Sequence, residues 1–297
     1  MSLRLDMLEV ASKSPLVLGD ALELIQSFLE RESHPSGGIK NRAGEPDLYY
    51  GFFGLESKKA IEASWDVESW VNYLEAFGEG PSDDLIHLSC LIRCWANLPS
   101  ELLSDERREV FVGKLNKFKS KDGAFNTTLH QEQGSAYGCF VALDTFDNLK
   151  ATRPDPEPLI ERIIKVKTPT GGFAFNEGMV EGTTPTTAAA IVGLAQLGYS
   201  MNDLTTSREW LLNRRHESGG LLAVPNAPMP DLLSTATGLH TLKVMGEDIS
   251  SWSDSCLDYV DSLWVNTGGF YAHWSDETLD VEYLYYALLA LGHLASK

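Results

Sequence analysis

A few carboxylates and one tyrosine occupy positions suited to chemistry in a buried site. Asp231 and Asp280 each stand directly before a long, nearly uncharged segment, and Tyr283 lies within the last of these segments. The adjacent pair Asp83 and Asp84 precedes another apolar segment. Such a carboxylate either donates a proton to a substrate or caps a helix, and capping is expected to lower its pKa. We take Asp231 and Asp280 as candidate catalytic acids, with capping as their competing role.

The four cysteines do not form a metal-binding pattern. Cys90 and Cys94 are about one helical turn apart, whereas Cys139 and Cys256 are distant in sequence. A zinc site needs further ligands at matching spacings, and none of the usual Cys and His patterns is complete here. We predict reduced, structural cysteines, no metal or other cofactor, and a cytoplasmic location.

Composition and charge exclude several classes of partner. The chain has 297 residues, of which 43% are hydrophobic and 22% charged, and its net charge is −18. This acidity argues against nucleic acid and against an anionic membrane surface, because both require basic patches. No apolar run approaches the roughly 18 residues of a membrane span. The amino-terminal residues lack the continuous apolar stretch of a signal peptide.

Paired glycines, or a near equivalent, divide the chain into repeats. They stand at positions 37–38, 122–123, 171–172, 219–220 and 268–269. The last three intervals are 49, 48 and 49 residues, and the first interval of 85 residues contains a Gly-Glu-Gly at 78–80. A fixed period of this length is the signature of a repeat architecture. The spacing predicts six units, of which the second is degenerate.

Each unit contains two helical segments of different character. An amphipathic segment such as PEPLIERIIKV precedes the glycines, and a nearly uncharged segment such as TPTTAAAIVGLAQLG follows them after about ten residues. A helix with one polar face belongs on the outside of a protein, whereas a helix that is apolar on nearly every side must be buried. The pattern predicts six outer and six inner helices.

The two ends of the repeat array distinguish a closed ring from an open solenoid. A solenoid needs polar capping units at its ends. Here the first and last inner segments, DLYYGFFGLE and DVEYLYYALLALGHL, are among the most aromatic of the chain and match each other position by position. Two such apolar ends are expected to pack together. We therefore predict an all-α, closed (α/α)6 toroid that occupies residues 1–297 as a single domain.

The glycine-glycine-aromatic turn and the inner helix ending at Leu-Gly resemble the repeats of protein prenyltransferase β-subunits and of terpenoid cyclases of the squalene-cyclase type. The likeness extends from about residue 17 to residue 295. It implies a hydrophobic central cavity that binds or acts on an isoprenoid or lipid-like molecule. The residues expected to line this cavity are Tyr49, Tyr50, Phe52, Phe53, Tyr137, Leu233, Tyr285 and Tyr286.

The zinc site of the prenyltransferases is incomplete in this sequence. In that family an Asp and a Cys from a D-x-C motif and a His from a D-x-x-H motif hold the metal. The matching places keep Asp231 and Asp280, but Leu233 replaces the Cys and Tyr283 replaces the His. A single aspartate does not make a zinc site. By this resemblance Tyr283 joins Asp231 and Asp280 as a catalytic candidate. Any isoprenoid chemistry is expected to proceed without the zinc-thiolate mechanism.

The family's diphosphate clamp and proton-donor motif are also altered. Pro225 and Pro228 stand where the clamp has an Arg and a Lys. Without fixed cations, the charge on a departing diphosphate has nothing to stabilise it. The D-x-D-D-T-A motif of the cyclases is matched only by residues 231–236, with Leu233 at the place of the donor carboxyl.

Three functions remain open on this sequence. The first is an isoprenoid transferase or cyclase without zinc, and the second is a non-catalytic toroid that binds a hydrophobic ligand or a protein partner. The third is a glycan-active barrel, in which Asp276, Glu277 and Asp280 beside Trp274 would supply the paired carboxylates. A complement-type thioester domain does not fit, because the Cys-Gly-Glu-Gln run is missing around Cys139.

Overall fold

The structure, a computed structural model, describes residues 2–295. In chain order its helices are α1 (Leu3–Ala11), α2 (Pro15–Leu18), α3 (Ala21–Glu32), α4 (Leu48–Ala60), α5 (Val67–Glu75), α6 (Leu85–Asn97), α7 (Asp105–Leu115), α8 (Ala136–Asn148), α9 (Pro156–Lys165), α10 (Thr184–Gln196), α11 (Thr205–Leu212), α12 (Leu232–Val244), α13 (Ser253–Asp261) and α14 (Val281–Leu294). Its short strands are β1 (Ile39–Lys40), β2 (Pro46–Asp47), β3 (Trp264–Val265) and β4 (Gly269–Phe270), paired as two antiparallel hairpins.

The even-numbered helices from α4 to α14 form the inner ring of a toroid. Each packs against the next one, and α14 packs against α4, so that the ring closes. Each odd-numbered helix from α3 to α13 packs against at least one helix of this ring. Over residues 2–295 the fold is therefore six inner and six outer helices, which confirms the predicted all-α (α/α)6 toroid. None of the helices in this range is both long and apolar enough to cross a membrane.

The ring closes at a seam between α4 and α14, the two aromatic segments that were predicted to pack together. The ring of Phe53 on α4 lies 5.5 Å from that of Tyr286 and 5.8 Å from that of Tyr285 on α14. Phe52 lies 6.5 Å from Tyr285. Tilted aromatic pairs at these distances contribute about 0.5–1.5 kcal/mol beyond their burial. Aromatic packing thus replaces the polar caps that an open array would need.

Each inner helix begins at a residue whose side chain accepts hydrogen bonds from the first turn. The six capping residues are Asp47, Asp84, Ser135, Thr183, Asp231 and Asp280. A side-chain cap of this kind stabilises a helix by about 0.5–2 kcal/mol. The polar residues that precede the apolar segments therefore fix where the inner helices start.

The glycine pairs allow the loop of one repeat to approach the outer helix of the next. Gly219 has φ +101°, and a Cβ there would lie 1.9 Å from the carbonyl oxygen of Ser255 on α13. Gly268 has φ +98°, and its Cβ would lie 2.0 Å from the carbonyl oxygen of Leu24 on α3. A side chain is excluded both by the positive φ and by the contact. The second contact joins the sixth repeat to the first, so the outer layer closes as well.

Helix α1 is an element to which the sequence analysis assigned no structure. It lies across the carboxyl ends of the inner helices, where it packs against α4, α8 and α14. Asp6 accepts a hydrogen bond from Gln196 at the end of α10, at 3.2 Å. Close to the other end of the helix, the backbone of Val10 lies against Gly292 of α14. The toroid is thus covered on this side by its own amino-terminal residues.

Candidate functional site

A central cavity of about 300 Å³ lies inside the inner ring. Of the residues expected to line it, the structure places seven on its wall: Tyr49, Phe52, Phe53, Tyr137, Leu233, Tyr285 and Tyr286. Small residues of α10, such as Ala188 and Ala189, form the opposite side of the wall, and Phe175 from the preceding loop reaches in from a half-exposed position. The wall of the cavity is therefore mainly apolar and includes eight Phe and Tyr side chains.

Tyr50 and Tyr283 lie outside this wall. Tyr50 packs edge-on against Tyr49 with 5.7 Å between ring centroids. The ring of Tyr283 lies beneath the guanidinium of Arg42, 5.9 Å away. Burial raises the pKa of both phenols, so neither hydroxyl is a source of negative charge near neutral pH. Tyr50, which was expected to line the cavity, and Tyr283, which was a catalytic candidate, are therefore absent from the cavity wall in the described residues.

Asp280 acts as a helix cap and as the partner of an arginine. It accepts a hydrogen bond from the backbone N–H of Tyr283 at 3.1 Å. Arg42, from the loop between β1 and β2, donates to Asp280 Oδ2 from Nε and Nη2, both at 2.8 Å. Its carboxylate is 4% exposed and does not line the cavity. The carboxylate of Asp280 is thus engaged by the helix cap and by the ion pair with Arg42.

Asp231 caps α12 and, like Asp280, does not line the cavity. Its pKa, however, is raised and not lowered. It accepts hydrogen bonds from the backbone N–H and the hydroxyl of Ser234, both at 2.7 Å. Burial nevertheless raises the pKa of Asp231, because desolvation of the carboxylate outweighs these two hydrogen bonds. The capping hydrogen bonds themselves lower the pKa of Asp231, as expected, but burial has the larger effect.

Glu282 is the acid that sequence reasoning missed. It lies in the first turn of α14 and lines the cavity, where its Oε1 accepts a hydrogen bond from the hydroxyl of Tyr49 at 2.7 Å. Burial among aromatic side chains raises its pKa, and the charge of Asp280 adds to the effect. A signal was present, because Glu282 is the one acid inside the apolar segment VEYLYYALLALGHL. It combines access to the cavity with a pKa that is raised above the usual glutamate value.

Both arginines on the cavity wall are paired with buried carboxylates. Arg4 of α1 lies 2.8 Å from Glu56, and Arg93 of α6 lies 2.7 Å from Asp144. The guanidinium of Arg93 also stacks over Phe52 at 4.6 Å. Among the described residues, no other Arg or Lys lines the cavity. A diphosphate placed in this cavity would therefore meet no unpaired cation.

A histidine pair lies towards the carboxyl ends of α12 and α14. His240 Nδ1 is 3.1 Å from His293 Nε2, so one ring donates a hydrogen bond to the other. Burial lowers the pKa of His240 to about 4 and that of His293 well below its usual value. Because of this lowered pKa, His240, which lines the cavity, is neutral near pH 7. A separate finding is that no group of three or more His, Cys, Asp or Glu side chains within residues 2–295 could hold a metal ion.

Two further sets of candidate acids also lie outside the cavity. Asp84 caps α6 and contacts the His87 ring at 2.5 Å. Asp276 accepts a hydrogen bond from the backbone of Ala272, while Trp274 packs on Tyr259 of the outer helix α13. These residues stabilise loops and helix ends around the ring. Asp276 also shares a guanidinium with Asp280, because Arg42 Nη2 lies 3.7 Å from Asp276 Oδ2 and 2.8 Å from Asp280 Oδ2.

A family model that matches the sequence describes the same architecture. The model of the prenyltransferase alpha-alpha toroid domain matches residues 111–208 and again residues 191–296. The chain belongs to the prenyltransferase alpha-alpha toroid family. Because the two matches follow one another along the ring, they reflect the internal repeats described above. No curated protein matches the sequence.

Solved structures with the same fold are named for different activities. A Candida albicans protein geranylgeranyltransferase-I complexed with GGPP is 18% identical and covers 90% of this chain and 89% of its own, with a TM-score of 0.69. A type II terpene cyclase, MstE from Scytonema, in complex with geranylgeranyl dihydroxybenzoate is 12% identical, covers 95% and 97%, and has a TM-score of 0.64. A polysaccharide lyase is 11% identical, covers 96% and 97%, and has a TM-score of 0.59. At these identities the likeness shows the fold alone.

Proposed function

We propose that the protein binds an uncharged isoprenoid or similar lipid-like chain in its central cavity. The observation that carries the proposal is the combination of an aromatic wall with arginines that are already neutralised, Arg4 by Glu56 and Arg93 by Asp144. Apolar ligands gain affinity from such a wall, whereas a diphosphate would need free cations. The geranylgeranyl ligands of two proteins of the same fold favour an isoprenoid over other apolar molecules.

The size and orientation of the cavity suit an elongated ligand. Its volume of about 300 Å³ is at the lower end of small-molecule pockets. On α12 the lining residues run from Leu233 to Thr241, a rise of about 12 Å along the helix axis. The ligand would lie along the axis of the toroid, with one end near Glu282 and the other near α1.

A second candidate function is an acid-initiated reaction of the bound chain, and Glu282 is the observation that favours it. Its carboxyl lines the cavity and has a raised pKa. A protonated carboxyl in an apolar site can transfer its proton to an alkene carbon and so form a carbocation. Tyr137 and Tyr286 lie on the same wall, where their rings would stabilise the cation by about 0.5–2 kcal/mol each. The reaction needs no metal.

A thermal-shift experiment with geranylgeraniol and geranylgeranyl diphosphate tests the first proposal. We expect the alcohol to raise the melting temperature and the diphosphate to have little effect. Ala189→Phe on α10 fills the cavity and should abolish the shift, whereas Ala76→Phe at the exposed end of α5 should preserve it. A stronger effect of the diphosphate than of the alcohol would contradict the proposal.

Product analysis separates catalysis from binding alone. Purified protein is incubated with geranylgeraniol or a related neutral polyene, and the extract is analysed by gas chromatography and mass spectrometry. Cyclised or hydrated products that disappear in Glu282→Gln, while the thermal shift remains, support the acid-initiated reaction. A thermal shift without products supports a non-catalytic binding protein.

A further inference from the structure

The cavity has one open end and one end covered by α1. Glu282, Leu233 and Tyr49 line it near the amino ends of the inner helices, where Phe175 is 52% exposed. At the carboxyl ends, Leu3 and Met7 of α1 lie on the cavity wall. Within residues 2–295, the lining residues that come from outside the inner helices are Phe175 at the open end and Leu3, Arg4 and Met7 of α1 at the carboxyl ends.

The face that α1 turns to the cavity is defined by its helical spacing. Leu3 and Met7 are four residues apart and therefore lie on the same side of the helix. Leu3 is 1% exposed, and Met7 packs against the core. Leu5, between them in sequence, points away and is 42% exposed. One face of α1 thus ends the cavity, while the other faces solvent.

Arg4 fixes α1 in this position through partners on three inner helices. Its side chain donates from Nη1 to Glu56 at 2.8 Å and to Asn97 at 3.0 Å, and from Nε to Asn148 at 2.5 Å. Its backbone N–H donates to Asp144 at 2.8 Å. The side chain is 7% exposed and Glu56 is fully buried. Because these partners come from α4, α6 and α8, the position of α1 is set by the ring.

We propose that α1 is the floor of the cavity and that Met7 sets the length of chain that the cavity accepts. This inference rests on the proposed binding of an elongated apolar ligand. A chain that enters at the open end runs along the ring axis until it meets Leu3 and Met7. Methionine is a flexible side chain that fills space without fixed geometry, so its replacement changes the depth of the cavity and leaves the ring intact.

Binding of geraniol, farnesol and geranylgeraniol, which differ by one isoprene unit each, measures this depth. Met7→Trp is expected to weaken the longest alcohol that the wild type binds by about tenfold or more, while the shortest one changes little. Met7→Ala is expected to shift the preference towards longer alcohols. Leu5→Ala, on the exposed face of the same helix, serves as the control and should retain the wild-type order. If the Met7 variants rank the alcohols as the wild type does, the inference is wrong.

A second experiment tests, without any isoprenoid ligand, whether Met7 of α1 lies at the end of the cavity. Crystals of Met7→Ala under xenon pressure are expected to show a xenon atom beside residue 7, because xenon occupies apolar cavities. Crystals of Leu5→Ala should not show it. If xenon is bound beside residue 7 but no prenyl alcohol binds, the inference that α1 ends the cavity is supported and the proposed function is wrong. If xenon is absent there, the floor assignment itself fails.

Discussion

The hydroxyl of Tyr49 donates a hydrogen bond to Glu282 across the seam of the ring, at 2.7 Å. The two residues lie in the first turns of α4 and α14, 233 positions apart in sequence. The bond orients the one carboxyl with a raised pKa on the cavity wall. It also links ring closure to the geometry of the candidate site, because both residues reach the cavity only when the first and last inner helices are adjacent.

Replacement of Tyr49 by Phe should raise the pKa of Glu282 further. The hydrogen bond from Tyr49 favours the ionised carboxylate, and it opposes the larger effect of burial. A pH titration of the Glu282 carboxyl by carbon-13 NMR or infrared spectroscopy measures the change. Tyr50→Phe is the control, since that hydroxyl lies outside the cavity wall. An unchanged or lowered pKa in Tyr49→Phe would contradict the assigned role of the bond.

Glu282→Gln should stabilise the protein at alkaline pH. The folded-state pKa of Glu282 is raised by burial, so the unfolded chain releases this proton more easily. The stability associated with the protonated carboxyl is complete below the unfolded-state value of 4.5, and it is lost as the pH rises through the folded-state pKa. Melting temperatures at pH 4 and pH 8 test this. The gain should be present at pH 8 only, and the exposed Glu161→Gln on α9 should show none.

The histidine pair should make the protein less stable in mild acid. Burial lowers the pKa of His240 to about 4 from 6.5. The unfolded state therefore binds more protons between pH 6.5 and 4, and the free energy of unfolding falls as the pH is lowered through this window. At 1.36 kcal/mol per pKa unit the full loss is about 3 kcal/mol.

Thermal unfolding at several pH values between 7 and 4 measures this slope. His240→Gln should flatten it, because the amide stays neutral while it can still hydrogen-bond to His293. His130→Gln, at an exposed loop position, should keep the wild-type slope. An equally steep fall in stability in His240→Gln would show that other groups cause the acid sensitivity.

Arg4→Met should cost much more stability than the loss of a surface ion pair. It leaves Glu56 fully buried without its charged partner, which typically costs about 3–5 kcal/mol. Arg107→Met removes the pair with the half-exposed Glu75 and should cost at most about 1 kcal/mol. Urea unfolding of both variants compares them. Similar losses would mean that α1 contributes little to the folded state.

Gly219→Ala should destabilise the ring, whereas Gly113→Ala should not. At Gly219 a Cβ would lie 1.9 Å from a backbone oxygen and φ is +101°, so both the contact and the conformation are unfavourable. We expect the free energy of unfolding to fall by about 1–3 kcal/mol. Gly113, inside α7, has open space around the position of a Cβ, and Ala there should gain about 0.5–1 kcal/mol. Chemical denaturation with both variants tests the pair.

The repeat period carried most of the information about the fold. Glycines at a regular interval, with alternating amphipathic and apolar segments, predicted the two layers, and the aromatic match between DLYYGFFGLE and DVEYLYYALLALGHL predicted the closure. These signals are local or periodic, so they are visible in a single sequence. Most of the aromatic wall followed from them, because residues that face inward on inner helices face the cavity.

The parts that were missed depend on contacts distant in sequence. Helix α1 has no glycine pair and no repeat partner, and the partners of Arg4 lie between 52 and 144 residues away. Asp231 and Asp280 attracted attention because the family's motifs begin there, although the structure uses both as caps. Glu282 was overlooked because its importance comes from the direction of its side chain, which depends on the exact rotation of α14 in the ring.

Closure at the seam also affects how the protein acquires its cavity during synthesis. Helix α4 is the first of the inner helices to be made and its neighbour α14 is the sixth, so the aromatic face of α4 has no permanent partner until the other five inner helices have been made. Contacts of such long sequence separation form slowly, and their exposed apolar surfaces are prone to aggregation. The central cavity is therefore completed only after α14 has been made, and a chain that stops before α14 would expose α4 to solvent and to chaperones.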